Sequence, residues 1–98
     1  MTESKIQKPF GVYVESGVLN NTKDLNDVVE IGVYSWASTS LPANAPSTKA
    51  ARMIVFGNNT NNQNAKTQLV VDNTGKIFVR IGGSTGWENW FTHSPDAS

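Results

Sequence analysis

Lys66-Thr67-Gln68-Leu69-Val70-Val71-Asp72-Asn73-Thr74-Gly75-Lys76-Ile77-Phe78-Val79-Arg80 is the stretch whose reading decides the fold. Two runs rich in β-branched and aromatic residues flank a polar tetrapeptide that ends in glycine, the pattern of a hairpin. Asp72-Asn73-Thr74-Gly75 suits a type I turn whose last residue is a left-handed glycine, giving a three-residue loop with a G1 bulge. Pairing then runs outward from the turn: Asp72 faces Lys76, Val71 faces Ile77, Val70 faces Phe78, Leu69 faces Val79 and Gln68 faces Arg80. One face of the ribbon carries Leu69, Val71, Ile77 and Val79 and is the expected core face. The other carries Val70/Phe78 between the polar pairs Asp72/Lys76 and Gln68/Arg80.

Upstream of the hairpin, Arg52 to Gly57 reads as a near-continuous apolar strand, and Asn58 to Asn64 as a polar loop returning the chain. Ile31 to Ala37 alternates, with Ile31, Val33 and Ala37 on one side and Tyr34 and Trp36 on the other, so apolar groups stand on both faces. Between these strands, Ser38 to Lys49 holds prolines, alanines and hydroxyl residues, and is a long surface loop. Asp24 can cap a single helical turn over Asp24 to Val29, with Leu25 and Val28 on one side. Downstream, Gly82 to Gly86 is a second turn and Trp87 to Thr92 a last strand. In that strand Trp87 and Phe91 share a face, and Trp90 points opposite with Glu88 and Thr92.

The expected class is therefore mainly β, with a small β-rich α+β arrangement as the alternative: a compact antiparallel sheet domain with hairpins and one short helical turn. Residues 1–22 read as a tail or linker with a short strand at Phe10 to Val14, 23–92 as the domain, and 93–98 as a C-terminal tail. A chain of 98 residues supports one core, and a core this small leaves a thin stability margin unless partner chains cover more surface.

Composition narrows the function. Eight basic and eight acidic residues give a formal net charge of zero, and no Lys/Arg cluster follows a phosphate backbone, which argues against nucleic acid. No apolar run approaches a membrane span, and the N-terminus lacks the apolar core of a secretory signal, so synthesis in the cytoplasm without membrane insertion is expected. Cysteine is absent, which removes disulfides and thiolate metal sites. Asn20-Asn21-Thr22 and Asn58-Asn59-Thr60 match glycosylation sequons but read as Asn-rich loops.

Nothing in the chain assembles a catalytic set. His93 sits in the polar tail with no Ser or carboxylate placed to act with it. Nucleophile-elbow, phosphate-loop and zinc-helix motifs are absent, and no metal site or cofactor is expected. Asp24, Asp27 and Glu30, three apart, fit solvated capping acids better than a glycosidase pair, whose cleft a chain this short would have to share with its neighbours. The aromatics are the informative feature. Tyr34, Trp36, Trp87 and Trp90 can stack on a sugar ring or anchor an interface, and the loop amides of Asn59 and Asn61, with Arg80, can bond sugar hydroxyls. These seven are the candidate ligand contacts. The plainer arrangement puts Trp87 and Phe91 in the core, with Trp90 covering a second layer or a subunit contact.

From Lys23 onward the order Leu25-Asn26, Gly32-Val33-Tyr34, Asn44-Ala45-Pro46, Val55-Phe56, Thr67-Gln68, Ile77-Phe78-Val79-Arg80, then Gly86-Trp87 with Trp90, resembles the pyocin-knob family. Three positions depart from its pattern: Glu30-Ile31 stands where a Thr-Pro type pair often precedes the glycine, Ser47 follows Pro46 where Pro-Gly is common, and Phe91 follows Trp90 where a basic residue is usual. The resemblance implies a domain near the distal end of a bacteriocin or phage tail fibre or tailspike. It implies a homotrimer among other tail-fibre chains, contact with bacterial polysaccharide or lipopolysaccharide, and a place on the virion tail. It supplies no catalytic residues. A trimerisation cap that touches no sugar, and an accessory module of a polysaccharide-degrading spike, are the competing expectations.

Overall fold

A computed structural model describes residues 17–95; the expected strand at Phe10 to Val14 lies outside them. Seven strands form the sheet: β1 (Gly17–Val18), β2 (Gly32–Trp36), β3 (Ala51–Gly57), β4 (Lys66–Asp72), β5 (Ile77–Gly83), β6 (Gly86–Trp87) and β7 (Phe91–His93). β2 to β5 run as an antiparallel meander in chain order, β1 adds in parallel to β2, and β6 and β7 share the far edge of β5. The fold is mainly β, and the one helical piece among the described residues is a 3₁₀ turn at Leu25–Asp27, capped by Asp24 accepting from the Asn26 N–H. Within the stretch read from the sequence as a tail or linker, β1 pairs with β2 and Leu19 is buried. His93, assigned to the tail, is the exposed end of β7.

The hairpin register is the expected one, with Gln68 opposite Arg80, Leu69 opposite Val79, Val70 opposite Phe78 and Val71 opposite Ile77. Gly75 sits at φ 89° and its N–H reaches Asp72 O at 3.0 Å, the left-handed position that a residue with a Cβ resists. The face assignment, however, is reversed. Val70 and Phe78 lie in the core together with Lys66, Gln68, Asp72 and Arg80, while Leu69, Val71 and Val79 are half-buried and Ile77 is exposed.

The reason lies in what covers the sheet. The inner face bears Tyr34, Trp36, Ala51, Met53, Val55, Val70 and Phe78, and it is roofed by loops in place of a second sheet or a helix. Loop backbone leaves carbonyls without ladder partners, and buried carbonyls need donors. Long polar side chains rising from β4 and β5 provide them. Gln68 Nε2 donates to Leu25 O (2.7 Å) and Val28 O (3.0 Å) in the 3₁₀ segment, and Gln68 Oε1 accepts from Arg80 Nε at 2.8 Å. Lys66 Nζ donates to Thr60 O and Asn62 O in the loop before β4. That loop lies hard against β5: a Cβ on Gly82 would stand 1.7 Å from Gln63 O.

Asp72 is the fourth member of this polar row. Its carboxylate accepts from Thr74 N (2.8 Å), Thr74 Oγ1 (2.6 Å), Lys76 N (3.1 Å) and Ser47 Oγ (2.8 Å), tying the hairpin turn to the Ser38 to Lys49 loop. Burial works to raise its pKa, and these bonds outweigh burial and pull it from the usual 3.8 to about 2. The folded chain thus holds this proton more weakly than the unfolded one. The stability that follows is complete above the unfolded value and is lost as pH falls from 3.8 towards 2. Urea unfolding midpoints measured across that window are expected to fall steeply for the native sequence and to flatten for Asp72→Asn, which is also less stable at neutral pH. Parallel profiles for the two proteins would refute the assignment.

The outer face has no such roof among the described residues. One row of paired positions crosses five strands: Val33, Ile54, Leu69, Val79 and Phe91. Beside it stand Phe56, Ile77 and Ile81, and of these eight Ile54, Phe56, Ile77, Ile81 and Phe91 are exposed. Proteins commonly use contiguous exposed apolar surface for interaction.

Candidate functional site

The seven candidate contacts separate into two clefts and one core position. Trp36 is 3 % exposed and its indole Nε1 is buried with no acceptor among the described residues. It packs with Met53 and Val55 in the core, so it offers no exposed ring to a ligand.

Tyr34, Asn59 and Asn61 line the larger cleft, of about 820 Å³, together with the segment carrying Asp24, Asp27 and Glu30. Tyr34 is buried, a member of the core cluster as well as of the cleft wall, and its hydroxyl donates to Glu30 O at 2.7 Å; burial, then the Glu30 charge, push its pKa up. Asn59 and Asn61 alternate along their loop with residues that hold it in shape. Asn58 Oδ1 accepts from Thr60 N (3.3 Å) and Thr60 Oγ1 (2.9 Å), and Asn62 Oδ1 accepts from Asn64 N (3.0 Å), the Asx turns such side chains favour. Lys66 ties the same loop down from below. The amides of Asn59 and Asn61 themselves make no hydrogen bond within the described residues, and neither do the carboxylates of Asp27 and Glu30. The cleft thus has unpartnered amides and unpartnered carboxylates among its lining residues.

Arg80, Trp87 and Trp90 belong to the second cleft, of about 380 Å³, with Asn26, Asn44 and Glu88 on its walls. The continuous strand expected over Trp87 to Thr92 is broken: β6 ends at Trp87 and β7 starts at Phe91. The interruption brings both indoles to the inner side and leaves Phe91 64 % exposed on the outer face, against the arrangement that put Trp87 and Phe91 together. The Arg80 guanidinium lies 4.8 Å from the Trp87 ring centre and 4.5 Å from that of Trp90. Trp87 Nε1 donates to Asn26 O at 3.1 Å and Trp90 Nε1 to Asn44 O at 3.2 Å, so each ring is anchored to the loop roof.

Asn44, at φ 64°, also donates from Nδ2 to Asp24 Oδ1 at 2.7 Å. That bond and the Asn26 N–H hold the Asp24 carboxyl below its ordinary range, with the Asn26 N–H the larger cause and the Arg80 charge a lesser one. Burial pulls Arg80 down to about 10, against the opposing field of Asp24, so it stays a cation at neutral pH. The roles of Asp24, Asp27 and Glu30 as cleft walls escaped the sequence reading. Their regular spacing was visible, but it was the loop of Asn59 and Asn61, distant in sequence, that made a cleft of them.

No family model matches the sequence and no curated protein matches it significantly. Among solved structures the chain is similar to the C-terminal fragment of the P. aeruginosa R1 pyocin fibre, with a TM-score of 0.72 and 22 % identity. The match covers 87 % of this chain and 23 % of that one, so the chain spans less than a quarter of its structural neighbour. The fold is a pyocin-fibre-like fold.

Proposed function

We propose that the chain is a knob-like module of a phage tail fibre, tailspike or pyocin fibre that binds bacterial surface polysaccharide or lipopolysaccharide and carries out no catalysis of its own. The observation that carries this reading is the larger cleft, whose lining includes the unpartnered amides of Asn59 and Asn61 and the unpartnered carboxylates of Asp27 and Glu30. Sugar hydroxyls donate and accept at once, so a site with unpartnered groups of both kinds suits them. The pyocin-fibre-like fold supports the setting. A homotrimer is part of the proposal: three copies repeat one weak site and gain avidity.

Retention on host lipopolysaccharide and on a glycan array tests it. The intact assembly is expected to bind a susceptible surface, and Asn59→Ala with Asn61→Ala to weaken that binding about tenfold or more while leaving the circular dichroism unchanged. An intact assembly that binds no susceptible surface would sink the reading. A structural cap that aligns fibre chains without touching sugar is the second reading, favoured by the apolar outer row from Val33 to Phe91. It would gain if assembly persisted where sugar binding failed.

A further inference from the structure

The Arg80 cleft has an unmet charge requirement. The Arg80 guanidinium lies over both the Trp87 and Trp90 rings, and a guanidinium stacked on aromatic rings keeps its N–H groups in its own plane, along the edge. Gln68 takes the Nε part of that edge. Nη2 is buried and makes no hydrogen bond among the described residues, and Arg80 as a whole is 5 % exposed. A cation withdrawn from water with a donor unused is costly unless an anion completes it. Asp24 compensates only in part: its charge favours the cation, but its Oδ1 is engaged by Asn26 and Asn44, and among the described residues no hydrogen bond joins its carboxylate to Arg80. The cleft beside Arg80 is walled by amides that tolerate a polar guest and by two indoles that tolerate a ring.

We propose that this cleft is a binding site for an oxyanion carried on a sugar, the carboxylate of a uronic acid or a phosphate ester, received edge-on by Arg80 between Trp87 and Trp90. A carboxylate or phosphate matches the guanidinium fork in geometry as well as charge. Nη2 is buried, so binding includes a side-chain movement that opens it; we assign that movement to Trp90, half-buried on the cleft wall and held by Asn44 O, which couples binding to the environment of an indole. Glu88, exposed on the rim, opposes an incoming anion.

The proposal rests on the fibre-knob reading only for the source of the ligand, and small soluble probes test it without any host surface. The intact chain is titrated with galacturonate, glucose 1-phosphate, galactose and inorganic phosphate, following tryptophan fluorescence and the indole N–H resonances of Trp87 and Trp90. Both anionic sugars are expected to saturate and to move these two resonances, with galactose inert. Inorganic phosphate is expected to bind several-fold more weakly than the ester, for want of a ring to stack. Arg80→Met is expected to lose at least tenfold in affinity. Because Arg80 also supports Gln68, Glu88→Gln provides a variant that keeps the core intact and is expected to tighten binding about two- to threefold at low salt.

Galactose binding as well as galacturonate, no response to either anionic sugar, or an unchanged affinity in Glu88→Gln would overturn the assignment; inorganic phosphate binding as tightly as the ester would overturn its sugar component. A chain that takes galacturonate yet ignores every host surface leaves this site standing and removes the proposed function. The reverse result removes only the anion site.

Discussion

Replacing Gln68 by leucine is expected to lower the unfolding free energy by about 3–5 kcal/mol, although leucine is apolar and similar in size. The change strips donors from Leu25 O and Val28 O and leaves Arg80 Nε without its acceptor. Each orphaned carbonyl costs roughly 1–2 kcal/mol and the charged donor somewhat more, while the gain from extra apolar surface is about 1 kcal/mol. A domain of this length has roughly 5–15 kcal/mol in total, so the variant stands near the edge of folding. Thermal and urea unfolding measure it, with Leu69→Gln as the comparison one position along. On the half-buried outer face that second change is expected to cost about 1 kcal/mol. The opposite order of severity would mean that the buried face has been wrongly assigned.

Ile54→Lys is expected to have the largest effect on assembly. Ile54 is 44 % exposed in the single chain and stands between Val33 and Leu69 in the row from Val33 to Phe91, so a lysine there is solvated and the isolated domain keeps its fold. In an assembly built on this face the same ammonium would be buried without a partner, at several kcal/mol per subunit. The association constant is expected to fall by about a thousandfold or more. Light scattering or sedimentation across a concentration series, with circular dichroism as the folding control, reads both halves of the expectation. A native chain that stays monomeric at high concentration, or a variant that assembles normally, would show that this face is not the contact.

The hairpin was fully legible as a register. Turn chemistry and pairing arithmetic are local, and Asp72 to Gly75 dictated them. The buried side was not legible, because apolar alternation identifies the face turned to the core only when that core is roofed by side chains. Here the roof is loop backbone, and the residues beneath it are polar by necessity, so Gln68, Lys66 and Arg80 carried the signature of a solvent face while lying inside. The same blindness divided the candidate site. Tyr34, Asn59 and Asn61 meet, as do Arg80, Trp87 and Trp90, but no spacing rule foretold that Trp36 would be swallowed by the core or that the strand after Trp87 would break before Phe91. Both outcomes depend on where the long Ser38 to Lys49 loop and the 3₁₀ segment fall, and those positions are set by contacts remote in sequence, such as Trp90 with Asn44.

The polar row beneath the roof has one more consequence. Lys66 and Gln68 grip the loops by main-chain oxygens, those of Thr60, Asn62, Leu25 and Val28, and a carbonyl is the same atom whatever residue bears it. The clamps are therefore blind to the side chains they hold in place. Positions 59 and 61 are free to be rewritten at little cost to stability, so a lineage built on this scaffold can change what its cleft recognises one residue at a time without refounding the fold.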